Sequence, residues 1–452
     1  MHDAVLRKKR SAWKLYSAKG QKHTLDTVKE PIERTRIRFP SVGSHLMKTL
    51  ILREQKSTHI LSENRKLILE YMRLFHPDEV KQRKANRLIR RQFWCVGVSD
   101  IWMMDQHDKW RRWELFLHIC VEPMSSEILW LTIWWTNRNP RVVLSYYLDT
   151  VKRLGNRIPL LTQSDPGTEN NGVANAHTVL RHRMDPSLDQ TLQHRFIGGK
   201  RNVKPEIQWH LLRGSWSPGF EDILRDGTDR GIYDPDDGLQ RLVFHYIFIP
   251  WLQRELDEYV QHHNDTRPRK DARKLLPHGR PTEIFNHPES YGTLDFSIHD
   301  VDDRFIDEVR AEFADPNDPV FDLVPPRFAE RAAAYYGEAG MPEVTRENVW
   351  DIYLDLLAFF QSIELEDDEE LATQISKRAA MPPVGEDPDG AEHMRLLDLP
   401  KCPAGPHKVV GGDTQMLAGR RVKVGGKLVF IADEEEPLPE AIWSDESSDD
   451  EQ

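Results

Sequence analysis

Two runs rich in aromatic and branched residues, 113–122 (Trp-Glu-Leu-Phe-Leu-His-Ile-Cys-Val-Glu) and 128–136 (Ile-Leu-Trp-Leu-Thr-Ile-Trp-Trp-Thr), flank the turn-forming stretch Pro123-Met-Ser-Ser-Glu127. Chains of this kind fill pleated surfaces well, and the short break between them suits a reversal rather than a crossover. With the apolar run Asp100-Ile-Trp-Met-Met-Asp105 before them, they predict a three-stranded antiparallel meander. Asn139-Pro140 then opens a helical pattern through Tyr146, Tyr147, Leu148, Val151 and Leu154, which Gly155 closes. Ile158-Pro-Leu-Leu-Thr162 reads as the next strand, 172–184 as a helix and 192–197 as another strand. Pro205 stands where the first helical position is expected, which puts Glu206 in the first turn of a helix through Trp209 and Leu212. Strand-strand-strand-helix-strand-helix-strand-helix is an α/β order with a mixed sheet.

Outside this stretch the chain changes character. Residues 1–45 carry scattered Lys and Arg with little apolar period and read as a basic, poorly ordered arm. Residues 46–94 hold helical spacings (Leu46, Leu50, Leu67, Ile68, Tyr71, Met72) and then a cationic run with Lys84, Arg87, Arg90 and Arg91, a candidate DNA-binding region. An apolar helix is expected from Leu239 to Tyr259, with Pro250 kinking or interrupting it. The core is placed at 95–290, a helical C-terminal region at 291–365, and a largely disordered acidic tail at 366–452 with a hairpin expected at 409–432. The net charge of -11 would argue against a nucleic-acid partner if it were evenly spread, but the first part of the chain is basic and the last part acidic. Three cysteines without metal-type spacing fit a reducing compartment, and no run of about 18 apolar residues predicts a membrane span.

Three acids stand at the ends of predicted elements: Asp105, Asp165 in the turn Asp-Pro-Gly-Thr-Glu-Asn, and Glu206. Hard divalent cations take oxygen ligands, and phosphoryl transfer between nucleic-acid strands uses two such ions about 4 Å apart. Two Asp and one Glu meeting at one sheet edge would supply the protein side of that site. Asp108 competes with Asp105 for the first position.

The matching motifs are Asp100-Ile-Trp-Met-Met-Asp105 with Asp108-Lys109-Trp110, Trp134-Trp135-Thr136-Asn137, Thr162-Gln-Ser-Asp-Pro-Gly-Thr-Glu-Asn170 and Arg201-Asn-Val-Lys-Pro-Glu-Ile-Gln-Trp209. In these the chain resembles the retroviral-type integrase core, a ribonuclease-H-like fold of the DDE family, and in particular transposon-derived integrase-core proteins of eukaryotic genomes. The resemblance implies a five-stranded mixed sheet flanked by helices, with Asp105, Asp165 and Glu206 as catalytic, metal-binding acids for Mg²⁺ or Mn²⁺. It implies metal-dependent cleavage and strand transfer of DNA in the nucleus by a homo-oligomer. The zinc-binding His/His/Cys/Cys module that precedes many retroviral cores is absent, since no two cysteines are close.

Further cations are expected to meet DNA: Lys200, Arg201 and Lys204 behind Gly198-Gly199 as a flexible lid, and Arg213 with His210 on the face of Glu206. Two rival readings remain in view. One is a domesticated, inactive integrase fold that binds DNA or, through the acidic tail, a chromatin protein. The other is a nuclease for RNA in hybrids, which would discriminate at the 2′ hydroxyl.

Overall fold

The computed structural model describes residues 23–40, 42–54, 65–80, 93–197, 202–271, 274–340, 342–363, 368–379, 394–399, 419–424 and 427–432. The chain enters through three helices, α1 (Leu25–Arg38), α2 (Ser44–Glu54) and α3 (Arg65–Phe75). Residues 23–40 correct the reading of a loosely ordered arm. Thr24 and Thr27 form a capping box at the start of α1, and Val28, Ile32 and Thr35 are buried on one face of it. Its cations are matched within the fold: Arg36 pairs with Glu33 at 2.9 Å and with Glu79, and Arg38 with Glu255. A basic composition hid an amphipathic helix because the partner acids lie far along the chain.

The strands follow: β1 (Gly97–Val98), β2 (Ile101–His107), β3 (Phe116–Glu122), β4 (Glu127–Trp134), then α4 (Pro140–Arg153), β5 (Leu161–Ser164), α5 (Asn171–Met184), β6 (His194–Phe196), α6 (Val203–Ser215) and α7 (Ser217–Asp229). Five of them make one sheet in the order β4-β3-β2-β5-β6. The meander β2-β3-β4 is antiparallel, while β5 runs parallel to β2 and β6 parallel to β5. This is the mixed sheet that the element order predicts. Asn139 caps α4 by accepting from the Arg141 amide, Pro140 occupies its first turn, and Gly155 takes φ +72° behind it.

Side chains on opposite faces of β3 enter different cores. Leu117, Ile119 and Val121 join one apolar cluster and Cys120 the other. The second cluster is closed by α4 and α5, the first by α8 (Gly238–Asp265). Of the two outcomes expected at Pro250, a kink or an interruption, the interruption does not occur: α8 continues through the proline. Phe248, Ile249 and Trp251 are buried around the proline, and that packing outweighs one missing backbone hydrogen bond. Beyond α9 (Pro281–Asn286) and β7 (Leu294–Asp295), which pairs parallel to β1, come α10 (Asp303–Phe313), α11 (Pro326–Glu338), α12 (Val349–Ser362) and α13 (Glu369–Ala379). Val28 of α1, Phe248 of α8 and Tyr353 of α12 share the first cluster, so the N- and C-terminal helices thicken one face of the core sheet. The hairpin expected at 409–432 is the pair β8 (Gly419–Val424) and β9 (Lys427–Ala432). Among the described residues, no helix is long and apolar enough to cross a membrane.

Candidate active site

Parallel pairing of β2 with β5 places Ile101 beside Leu161, Trp102 beside Thr162 and Met103 beside Gln163. The offset is 161 − 101 = 60 positions, and Asp105 and Asp165 are also 60 apart, so continuing the register brings the two acids level at the carboxyl ends of neighbouring strands. Adjacent strands lie about 4.8 Å apart, close enough for the two carboxylates to feel each other. Burial first, and then the charge of Asp165, pushes the Asp105 carboxyl up to about 7, with Glu206 adding to the rise. Asp165 is raised as well, by burial first and then by Glu169. Its Oδ1 is buried with no hydrogen-bond partner among the described residues. Two like charges side by side, one with an unused acceptor, are an arrangement that a bound cation would relieve.

Helix α6 is fastened to both strands. Asn202, the residue before it, donates from Nδ2 to the Met104 carbonyl at 2.8 Å, accepts from Gln163 Nε2 at 3.4 Å, and bonds to Asp165. Two turns further on, Trp209 donates from Nε1 to Asp105 Oδ2 at 3.0 Å, and its ring stacks on His107 with centroids 4.8 Å apart. Glu206 and Trp209 are three positions apart and so share a face, which turns Glu206 toward the Asp105 corner. His107 is held neutral, pushed down to about 4 by burial, then by Lys109 and Arg213. Those two exposed cations form a positive rim beside the acids.

The two candidates for the first acid are now separated. Asp108 accepts from Asn137 Nδ2 at 2.7 Å and from Arg138 Nη2 at 2.9 Å, so both its oxygens are engaged away from Asp165 and Glu206. Asp105 has the acidic neighbours.

Lys204 departs from the expected lid. It is 6% exposed, donates from Nζ to Ser126 Oγ at 2.8 Å and lies 4.9 Å from the centre of the Phe93 ring. Burial pushes it down to about 8. Two positions along a helix are about 200° of rotation, so Lys204 faces inward because Glu206 faces the site. Lys84, Arg87, Arg90, Arg91, Lys200 and Arg201 lie outside the described residues. Arg213, like His210, is exposed.

Sequence reasoning missed Glu169, Gln106, Asn202 and Trp209. Glu169 is 7% exposed and accepts from Gln106 Nε2 and, at 3.3 Å, from Asn170 Nδ2. A Cβ on Gly167 would stand 1.9 Å from Glu169 Oε1, so the glycine of this turn makes room for that folded-back carboxylate. Only the spacing of Trp209 from Glu206 could have singled it out beforehand.

Residues 95–287 match the family model described as an integrase core domain. This segment is an integrase core of the retroviral type. No curated protein matches the chain. Integrase cores usually carry divalent metal, and the donor chemistry here fits a hard cation: carboxylate oxygens, an unpartnered buried Oδ1 on Asp165, and a strained charge balance at Asp105. The carboxylates form neighbouring pairs rather than a closed cage. Among the described residues, no three His, Cys, Asp or Glu side chains are gathered into one metal-holding group.

Proposed function

We propose that this protein is a transposable-element-derived, integrase- or transposase-like polynucleotidyl transferase that cleaves a DNA phosphodiester bond and transfers the strand. The observations that carry this reading are the integrase-core match over residues 95–287 and the β2–β5 register that brings Asp105 level with Asp165. Asp105, Asp165 and Glu206 would hold the divalent cation or cations. Bound Mg²⁺ or Mn²⁺ supplies Lewis acidity at the attacking and leaving oxygens. The rest falls to the chain's own side chains. Trp209 fixes one oxygen of Asp105, Asn202 keeps β2, β5 and α6 in register, and Lys109 and Arg213 hold phosphate oxygens at the rim. Neutral His107 stacks under Trp209 as packing, since burial keeps it from carrying charge. The same reading places the protein on DNA in the nucleus as a homo-oligomer, with the acidic tail as a contact for chromatin proteins.

A second reading, a DNA- or chromatin-binding role without catalysis, draws on the open spacing of the acids. Labelled duplex DNA with Mg²⁺ or Mn²⁺ separates the two. Nicking and strand transfer by the wild type, lost in Glu206→Gln while DNA binding persists, supports the transferase. Absence of activity in both, with salt-sensitive binding retained, supports the binding role, and cleavage confined to RNA in hybrids supports a nuclease.

A further inference from the structure

More than 200 positions after α5, the short segment 394–399 (Met-Arg-Leu-Leu-Asp-Leu) lies against that helix. Its backbone is read by two asparagines one turn apart. Asn171 donates from Nδ2 to the Met394 carbonyl at 2.8 Å, and Asn175 donates from Nδ2 to the Arg395 carbonyl at 2.9 Å. Asn175 Oδ1 then accepts from the Leu397 amide at 2.9 Å. One side-chain amide thus answers the C=O of one residue and the N–H of the residue two further on, the pairing that a neighbouring β-strand would offer. The segment ends in a tight turn, where the Leu399 amide bonds the Leu397 carbonyl at 2.8 Å.

Met394, Leu397 and Leu399 are half-buried, while Arg395, Leu396 and Asp398 are exposed. Asn175 itself is 1% exposed, an unusual place for asparagine inside a helix, where its amide competes with the helical backbone. Here both its polar atoms are spent on the segment. We propose that Asn171, Asn175 and the adjoining surface of α5 form a peptide-recognition site. Its ligand is a leucine-bearing segment, this chain's own residues 394–399, held in cis and able to bind in trans. The clasp also touches the candidate active site, because Asn170, the residue before α5, donates from Nδ2 to the Asp165 carbonyl at 3.3 Å. Docking therefore steadies the first turn of α5 and the loop that carries Asp165.

The test needs neither DNA nor metal, so its failure is distinguishable from failure of the transferase reading. A fluorescent synthetic peptide of residues 392–401 is titrated by anisotropy against the full chain carrying Leu397→Pro, which lacks the amide that Asn175 accepts. Binding is expected there and up to about fivefold weaker to wild type, whose own segment competes, as loss of one hydrogen bond of about 1 kcal/mol implies. Adding Asn175→Leu, or the less buried Asn171→Ala, to that chain is expected to weaken the peptide by a similar factor. Hydrogen exchange at the Leu397 amide is expected to be slow in wild type and fast in Asn175→Ala. A peptide that binds no form of the chain, or binds the double variants as tightly as Leu397→Pro, overturns the proposal, and so does a Leu397 amide that exchanges at the same rate with and without Asn175.

Discussion

Trp209→Phe tests one hydrogen bond at the carboxylate corner, because phenylalanine keeps a smaller aromatic ring against His107 and removes the N–H from which Asp105 Oδ2 accepts at 3.0 Å. That bond favours the charged form of Asp105 and opposes the burial and like charges that push the carboxyl up to about 7. A hydrogen bond to an ionised group contributes about 1.5–3 kcal/mol, and about 1.4 kcal/mol moves an ionisation by one pH unit. At the lower end, the ionised fraction of Asp105 at pH 7 falls from about one half to about one tenth, and Mn²⁺ binds about fivefold more weakly. Isothermal titration with Mn²⁺ at pH 7 and at pH 9.5 measures this. The deficit is expected at pH 7 and is expected to close at pH 9.5, where Asp105 is ionised in both proteins. An equal deficit at both pH values would mean that Trp209 acts only by packing, and unchanged affinity at pH 7 would refute the role of the bond altogether.

The other predictions concern neighbouring parts of the same frame. Asp108→Ala should leave Mn²⁺ affinity within about twofold of wild type and cost at most about 1 kcal/mol of stability as a surface pair, whereas Asp105→Asn should abolish specific binding; calorimetry of the two variants decides. Lys204→Ala should lower the thermal midpoint without altering the salt dependence of DNA binding, while Arg213→Ala should reduce the slope of log K against log salt by about one. Gly172→Ala places a Cβ 2.4 Å from the Pro140 carbonyl where α4 and α5 touch, so denaturant unfolding should show a loss of about 2 kcal/mol. Asp100 and Asp105 are raised to about 7 and Glu127 to about 8, so the folded state binds more protons than the unfolded chain from about pH 4 upward, and their stabilising contribution is lost as pH rises through 7 to 8. His107 and His263 are lowered to about 4, and His118 and His194 to about 3. What these histidines contribute grows as pH rises through 6.5 and is nearly complete by about pH 7.5, so it offsets only part of that fall. Thermal midpoints should therefore drop between pH 7 and pH 8, and a midpoint that rises over that interval contradicts the assignment.

Much of this protein is written in local pattern. The branched and aromatic runs, the turn between them and the Asn139-Pro140 cap determine the meander and α4, because strand and helix periods are properties of a few adjacent residues. The 60-position interval between Asp105 and Asp165 was legible too, although its meaning was not: it is the register of β2 against β5, and only pairing turns a sequence interval into a spatial neighbour. Tertiary structure decided the rest. Whether a charge on a helix meets solvent or core depends on which face packs, so Lys204 went inward while Arg213 stayed out. Arg36 and Arg38 look like free cations until Glu79 and Glu255 arrive from distant helices. Trp209 at Asp105, Asn202 between two strands, and Asn175 on the Leu397 amide are contacts that no periodicity encodes, because each joins residues that only the closed fold brings within hydrogen-bond reach.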